Sequence, residues 1–248
     1  MGASKQLLKD IAKLKMHKFR ELENKFIIEG DKLVTEAINS IPKSISQIFV
    51  TPESKIAAKK REFFLVVEIS AAELKKISTQ QSPQHSLAII ESNFLPTKET
   101  VNKVVLACDD IQDPGNFGTI IRTADWFGIR SIIASKNTVD VFNQKVIQAS
   151  MGSIFRVRVE YVDLKSWLVN SKRRILGAFL DGCSIFDYQV ESDSVVLIGN
   201  EGKGISPEIC KLIHDKITIP PIGKAESLNA AVATGIILAE LTKKESHG

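Results

Sequence analysis

The 248-residue sequence has few of the residues that build metal sites and disulfide frameworks. Its three cysteines, Cys108, Cys183 and Cys210, are far apart and form no Cys-x-x-Cys pair, and its four histidines are scattered. An odd number of isolated cysteines argues against both a zinc site and a set of disulfides. We therefore predict no bound metal and a reducing, cytoplasmic setting.

Long hydrophobic runs are also lacking. No apolar run approaches the ~18 residues that a membrane-spanning helix needs. Residues 4–10 form a charged amphipathic pattern rather than a signal peptide. The sequence therefore predicts no membrane segment, and its length suits one large or two ordinary domains.

Two common nucleotide-binding motifs are absent. There is no Gly-x-x-x-x-Gly-Lys-Ser/Thr, so a P-loop is excluded. The glycines at 199–204 do not occur in the order Gly-x-Gly-x-x-Gly, so the dinucleotide fingerprint fails as well. A nucleotide-dependent oxidoreductase is accordingly disfavoured.

Positive charge is spread unevenly along the chain. Residues 1–97 carry 15 Lys and Arg against 11 Asp and Glu, whereas residues 98–248 carry 18 of each. Much of the excess lies near the N-terminus, in Lys5, Lys9, Lys13, Lys15, Lys18 and Arg20. Such a cluster is either the electrostatic footprint of a polyanion such as nucleic acid or a solvated helix face.

Helical and strand patterns alternate through the first part of the chain. Apolar residues at 7, 8, 11 and 14 share one face of a basic helix. Strands are predicted at 25–29, 47–50, 63–67 and 87–90, and helices at 31–39, in a short lysine-rich stretch before residue 63, and at 71–77. We predict a compact α/β domain over residues 1–97, with residues 96–100 as the linker.

A second domain is predicted over residues 98–248. It opens with a continuously apolar strand at 103–108, of the kind that is buried on both faces in parallel sheets. Further strands are predicted at 131–134, 154–159, 175–180 and 194–198, and helices up to residue 127, at 144–149 and at 164–170. This alternation predicts a mostly parallel sheet covered by helices on both faces.

The C-terminal stretch 217–240 predicts a short strand, a Pro-Pro stop, a small-residue loop and a helix. Ser227 stands where an N-cap is expected, because an apolar run follows it. The helix is rich in alanine and glycine, so we expect it to pack closely on several sides. From these residues alone, a well-capped core helix is the simplest interpretation.

Two loops follow buried strands at the edge where open α/β sheets bind ligands. In Asp113-Pro-Gly-Asn-x-Gly-x-x-x-Arg122, Asn116 is either a helix cap or a site residue, and Arg122 either forms a surface salt bridge or belongs to a site. In Ile198-Gly-Asn-Glu-Gly-x-Gly204, three glycines let the backbone approach a ligand.

Together with Ile219-Pro-x-x-Gly-x-x-x-Ser-Leu-Asn229, these stretches look like the three motifs of the SpoU/TrmH branch of SPOUT RNA methyltransferases, in the same order. Residues 1–97 resemble the ribosomal-protein-like, RNA-binding substrate domain that often precedes that catalytic domain. The resemblance implies a Rossmann-like α/β fold with a C-terminal trefoil knot. It also implies transfer of a methyl group from S-adenosyl-L-methionine to a ribose 2′-hydroxyl in RNA.

The resemblance also assigns residues. It places the cofactor among Ile198, Gly199, Gly202, Ile219, Leu228 and Asn229. It places the chemistry on Arg122, Asn116, Glu201, Ser227 and Asn229. In the family the arginine that matches Arg122 is assigned as the base. A guanidinium with a pKa above ~12 stays protonated, so a cation that fixes the target phosphate and stabilises the developing alkoxide is an equally physical role.

A non-catalytic RNA-binding protein that kept the fold is the competing hypothesis. All five polar positions are present, which argues against it. By family habit, the separate N-terminal domain favours ribosomal RNA over transfer RNA as the substrate. Members of the family pair through the catalytic domain, and the predicted helices at 117–127 and 230–240 are strongly apolar, so we expect a homodimer.

Overall fold

The computed structural model describes residues 3–56, 63–94, 103–189 and 193–243. The chain forms two compact units. Unit 1 comprises Met1–Leu95 and Phe142–Ile147, and unit 2 comprises Pro96–Val141 and Gln148–Gly248. The predicted boundary after residue 97 and the linker at 96–100 lie outside the described residues, as does most of the predicted lysine-rich helix before residue 63.

Unit 1 is built on a four-stranded mixed sheet in the order β1-β4-β2-β3. The strands are β1 (Lys25–Glu29), β2 (Ile45–Val50), β3 (Val66–Glu68) and β4 (Ser86–Glu91), and the helices are α1 (Lys5–Lys13), α2 (His17–Glu23), α3 (Asp31–Ser40) and α4 (Ala71–Ile77). Strand β4 runs antiparallel to β1 and β2, and β3 runs parallel to β2. The predicted alternation of helices and strands is present.

The core of unit 1 forms because helix and strand patterns present matching apolar faces. Leu8, Ile11 and Leu14 follow one another at intervals of three residues, so they share one face of the first helical segment. They join one buried cluster with Phe49 and Ile77. Each such fully buried side chain contributes roughly 1.5–3 kcal/mol. Within this unit the ring of Phe142 stacks on Phe26 at 4.3 Å between centroids.

One strand prediction in unit 1 is wrong by three residues. The run 63–67 was expected to form a strand, but β3 begins at Val66, and the side chains of Phe63 and Leu65 are 82% and 64% exposed. In the β2–β3 pair, Ile48–Val50 are in register with Val66–Glu68. An apolar run predicts burial, whereas the pairing partner decides where a strand begins.

Unit 2 contains a six-stranded sheet in the order β10-β8-β9-β5-β6-β7, in which every neighbouring pair is parallel. Its strands are β5 (Val104–Cys108), β6 (Ser131–Ser135), β7 (Arg158–Val162), β8 (Arg174–Ser184), β9 (Ser194–Ile198) and β10 (Asp215–Thr218). The remaining helices are α5 (Pro114–Trp126), α6 (Gln144–Ser150), α7 (Leu164–Asn170), α8 (Pro207–Cys210) and α9 (Ala230–Thr242), with α6 starting in the second segment of unit 1. The predicted parallel α/β sheet is confirmed.

Another strand prediction, at 154–159, is wrong in its start. Residues Ser153–Phe155 form a 3-10 turn after Gly152, whose φ of +92° is left-handed, and β7 begins at Arg158. Ile154 and Phe155 are buried, at 3% and 2% exposure. Their hydrophobicity reflects packing in the core of unit 2 rather than strand pairing.

The sheet order explains where a site can form in unit 2. Strands β5 and β9 are neighbours, and their last residues, Cys108 and Ile198, pair directly. The chain segments that leave these strands therefore start side by side at the carboxyl edge of the sheet. Helices α5 and α9 pack against each other within the same unit. In the part of the chain that is described, no helix is long and apolar enough to cross a membrane.

Candidate active site at the carboxyl edge of the parallel sheet

The loop that follows β9, residues 199–206, is a closed turn with no room for a side chain at its base. Asn200 and Gly204 exchange two backbone hydrogen bonds of 3.0 and 2.9 Å. A Cβ atom on Gly199 would lie 2.4 Å from the carbonyl carbon of Gly204 and 2.4 Å from the amide nitrogen of Ile205. Glycine is therefore required at 199 by close backbone approach.

The cap of the helix that follows β5 decides between the two roles that the sequence left open for Asn116. Asp113 is the N-cap of α5, and its carboxylate accepts a 2.7 Å hydrogen bond from the backbone N–H of Asn116. Pro114 occupies the first helical position, which favours a proline because no N–H is needed there. Asn116 is thus not the cap, and its side-chain amide is left for other partners.

That amide joins all three sequence motifs. Asn116 Nδ2 donates to Glu201 Oε1 at 2.8 Å, and Asn116 Oδ1 accepts from Asn229 Nδ2 at 2.7 Å. Asn229 Oδ1 in turn accepts from the backbone N–H groups of Ala231 at 2.9 Å and Val232 at 3.3 Å. Asn229, not Ser227, is therefore the N-cap of α9.

The direction of this chain of hydrogen bonds follows from the donors and acceptors present. The Asn229 oxygen is committed to the helix N–H groups, so its NH₂ group is the donor toward Asn116. Asn116 then offers its own NH₂ group to Glu201, whose ionised carboxylate can only accept. The network holds the turn after β9 and the starts of α5 and α9 together through side chains.

Arg122 and Ser227 stand apart from this network. Both side chains are exposed, and among the described residues Arg122 makes no hydrogen bond or salt bridge. Trp126, one turn further along α5, is 84% exposed. The structure therefore brings together three of the five predicted catalytic residues, and it leaves the Arg122 guanidinium accessible.

The predicted cofactor-binding residues differ in how much of their surface is exposed to a ligand. Residues 220–229 are all exposed, and Leu228 keeps 47% of its surface accessible. Ile219 is half-buried. Ile198 is only 3% exposed, and its carbonyl already accepts a 2.9 Å hydrogen bond from the Asp109 N–H. The side chain and the carbonyl of Ile198 are therefore both occupied within the protein.

The Cys108 thiol, which lies at the end of β5, is not available as a base. Burial at the end of β5 raises the pKa of the Cys108 thiol far above its ordinary value, and the charges of Asp109 and Glu201 raise it further. The thiol is therefore protonated at neutral pH. In the described part of the chain, no group of three or more His, Cys, Asp or Glu side chains could hold a metal ion.

Sequence reasoning missed three polar residues beside the network. Asp109 and Asp110 directly follow β5, and Asn200 lies in the turn after β9. Asp110 adopts a left-handed backbone with φ of +57°, which is uncommon for a residue other than glycine. Asn200 stands in the second motif, but its hydrogen bond to a residue 90 positions away has no sequence signal.

The parallel sheet, the glycine turn and the amide network at its carboxyl edge define an α/β enzyme domain. The sequence profile of the SpoU rRNA Methylase family matches residues 103–239, and that of an MRM3-like substrate binding domain matches residues 5–88. The chain belongs to the SpoU rRNA methylase family.

Individual relatives are similar to this chain over nearly the whole of its length. A 23S rRNA (guanosine(2553)-2'-O)-methyltransferase of Bacillus subtilis is 33% identical over 244 residues, 97% of each chain. An RNA methyltransferase of the TrmH family from Porphyromonas gingivalis has 36% identity and a TM-score of 0.85, covering 98% of this chain and 100% of that one. The S-adenosylmethionine-bound rRNA methyltransferase of Sinorhizobium meliloti has 29% identity and a TM-score of 0.85, covering 100% and 98%.

These similarities test several of the predictions that were made from the sequence. The predicted family, the assignment as an RNA 2′-O-ribose methyltransferase and S-adenosylmethionine as cofactor are confirmed. The catalytic interpretation is thereby favoured over a non-catalytic RNA-binding protein. The trefoil knot, the residue roles and the homodimer stay predictions.

Proposed function

We propose that this protein transfers the methyl group of S-adenosylmethionine to a ribose 2′-hydroxyl of ribosomal RNA in the cytoplasm. The observation that carries the proposal is the hydrogen-bonded chain Glu201–Asn116–Asn229, which joins one residue from each motif. The Bacillus subtilis relative acts on 23S rRNA, which favours ribosomal over transfer RNA as the substrate.

The residues at the carboxyl edge suit a nucleoside cofactor. The turn after β9 is compact, because Gly199 packs directly against the backbone of Gly204 and Ile205. Leu228 and Ile219 offer apolar surface for adenosine, and the polar groups of Ser227 and Asn229 lie beside them in sequence. Gly199, Gly202, Ile219, Leu228 and Asn229 are the residues that we propose hold it, with Ile198 supporting them from the sheet.

A ribose 2′-hydroxyl is a weak nucleophile that must lose its proton as it attacks. The bound cofactor supplies an electrophilic methyl group on a positively charged sulfur. On the protein side, Asn116, Glu201 and Asn229 hold their loops in one geometry, and alignment of this kind supplies a large part of a rate enhancement. Arg122, exposed and without a described protein partner, is available to an RNA phosphate or to the developing alkoxide. We propose the role of a cation for it, with the family's base role as the alternative.

Transfer of radiolabelled methyl groups from S-adenosylmethionine to purified RNA tests this function. Ribosomal RNA prepared from cells that lack the gene should accept label, and mass spectrometry should locate it on a ribose 2′-oxygen. Labelling of transfer RNA alone would correct the substrate. Tight S-adenosylhomocysteine binding with no transfer to either RNA would favour the non-catalytic alternative.

The lysines of unit 1 are proposed to contact RNA phosphates, but not all of them are available. Lys13 pairs with Asp10 at 2.7 Å, and Lys15 Nζ donates to the Lys76 carbonyl at 3.1 Å. Arg20 is buried at 7% exposure. Within the basic cluster near the N-terminus, Lys5, Lys9 and Lys18 are exposed, and the described residues give none of their amines a hydrogen bond or salt bridge.

Changing Lys5, Lys9 and Lys18 together to alanine should weaken RNA binding. Each phosphate contact that is lost should reduce the slope of log affinity against log salt by about one. Filter binding across a salt series measures the slope. Lys13→Ala is the matched control, because that amine is already paired with Asp10. An unchanged slope in the triple variant would exclude unit 1's first helices as the phosphate contact.

We also propose a homodimer through unit 2. Helices α5 and α9 pack together, yet Trp126 and Val232 on them remain 84% and 52% exposed. These two exposed apolar side chains lie where we propose that the partner subunit packs. Light scattering at micromolar concentration should give twice the chain mass, and Trp126→Glu should shift the protein to monomer. A monomeric mass for the unchanged protein would contradict the proposal.

A further inference from the structure

Both the oxygen and the nitrogen of the Asn200 side-chain amide form hydrogen bonds within the protein. Its Oδ1 accepts hydrogen bonds from the backbone N–H groups of Gly202 at 2.9 Å and Lys203 at 3.0 Å. Its Nδ2 donates to the carbonyl of Asp110 at 2.7 Å. One end of the amide therefore closes the turn, and the other ties that turn to the chain segment that leaves β5.

The segment after β5 is shaped to receive this bond. Asp110 has a left-handed backbone, and its N–H donates to Ser135 Oγ at 2.9 Å on the neighbouring strand β6. Asp109, 5% exposed, accepts from the N–H of Ser206 at 2.8 Å through its carboxylate. The loop 199–206 is thus held at two points, near its start by Asn200 and at its end by Asp109.

Glu201 lies between these constraints. It is exposed, and the hydrogen bond from Asn116 is the only side-chain bond that the described residues give it. Its backbone sits between Asn200 and Gly202, which the Asn200 side chain links directly. The direction of the Glu201 side chain therefore depends on the shape of the turn.

We propose that Asn200 is a positioning residue for the methyl transfer: it shapes the turn so that the Glu201 carboxylate meets Asn116. This rests on the proposed function of the site. Asn200 itself contacts neither substrate nor cofactor in this role. It acts through Glu201, so the two residues should be energetically coupled.

Asn200→Ala removes three hydrogen bonds and should slow methyl transfer about 10²-fold with cofactor and RNA both saturating. The coupling is measured by repeating the change in a Glu201→Ala background. There Asn200→Ala should cost less than about threefold, because the carboxylate that it positions is already gone. An equal loss in both backgrounds would mean that Asn200 only supports folding, and it would overturn the proposal.

Amide hydrogen exchange in the cofactor-free protein gives a readout that does not need activity. In Asn200→Ala the N–H groups of Gly202 and Lys203 should exchange at least about tenfold faster, while β5 and β9 keep their protection. Glu201→Ala should leave both amides protected. Unchanged exchange at these two amides would overturn the proposal, even where Glu201→Ala is too slow to assay.

Asn170→Ala is the matched control. Asn170 makes one comparable side-chain bond, donating from Nδ2 to the Ser166 carbonyl at 2.8 Å at the end of α7. Its loss should alter neither transfer nor the two amides. If the unchanged protein transfers no methyl group to RNA, the proposed function fails, whereas the exchange data still report whether Asn200 shapes the turn.

Discussion

Arg122→Ala is expected to slow methyl transfer by about 10²–10³, the usual effect of losing one preorganised electrostatic group. The affinity for S-adenosylmethionine should change little. Arg122 is exposed on α5, and its removal breaks no hydrogen bond or salt bridge of the described residues. Single-turnover rates and equilibrium dialysis measure the two quantities separately.

Arg122→Lys should recover only part of the rate. Lysine keeps the positive charge but lacks the planar fork that binds a phosphate or carboxylate through two parallel hydrogen bonds. Arg158→Ala is the control, since it removes another exposed arginine of unit 2, on β7. It should leave the rate near that of the unchanged protein.

Three outcomes would revise the role of Arg122. If saturating RNA restores the rate of Arg122→Ala, the residue only binds substrate equally in the ground and transition states. If cofactor binding is lost instead, the proposed location of the residue relative to the cofactor is wrong. Full activity would remove Arg122 from the mechanism and cast doubt on the first motif.

Gly199→Ala should abolish tight cofactor binding, with at least a 10²-fold loss of affinity. The added methyl would lie 2.4 Å from backbone atoms of Gly204 and Ile205, which are not free to rotate away as a side chain would be. Overpacking of this kind costs about 1–3 kcal/mol or more. Titration calorimetry with S-adenosylhomocysteine and thermal unfolding measure the two consequences.

Gly202→Ala is the control for Gly199→Ala. It tests whether any alanine in the turn is harmful, or only one at the crowded position 199. A Cβ at 202 would meet only Asn200 Oδ1, at 3.7 Å, which is an ordinary contact. The unfolding temperature of Gly202→Ala should therefore stay near that of the unchanged protein, whatever effect the added methyl has on cofactor affinity. Equal stability and affinity in Gly199→Ala and the unchanged protein would show that the turn is not fixed as described.

Much of the fold followed from local patterns. The apolar strand β5 and the helix that ends before Gly128 were predicted nearly to the residue. Such elements are encoded by burial period and by end signals within a few positions. The errors came where burial and pairing diverge, as at Ile154, which is buried in a turn rather than in a strand.

The candidate site was predicted in part. Side-chain hydrogen bonds join Asn116, Glu201 and Asn229, and their roles stay predictions. The adjacent parallel strands β5 and β9 end at one edge of the sheet, which brings the segments that carry Asn116 and Glu201 together. Asp113 and Asn229 cap the two helices, whereas the sequence predicted Ser227 as one cap and left Asn116 as either a cap or a site residue. Neighbouring polar residues can all cap a helix in principle, and backbone geometry selects one.

The sequence by itself determined the family, the parallel α/β architecture and the three motifs, because these depend on residue types at short spacings. Only the tertiary structure decided which motif residues touch, that Arg122 stands free of described partners, and that Asn200 ties its turn to Asp110. The physical reason is that sequence patterns act between residues close together in the chain, whereas contacts form between residues close together in space. A side-chain hydrogen bond forms within about 3 Å in space, and nothing in local propensity specifies which residue 90 positions away will fill that distance.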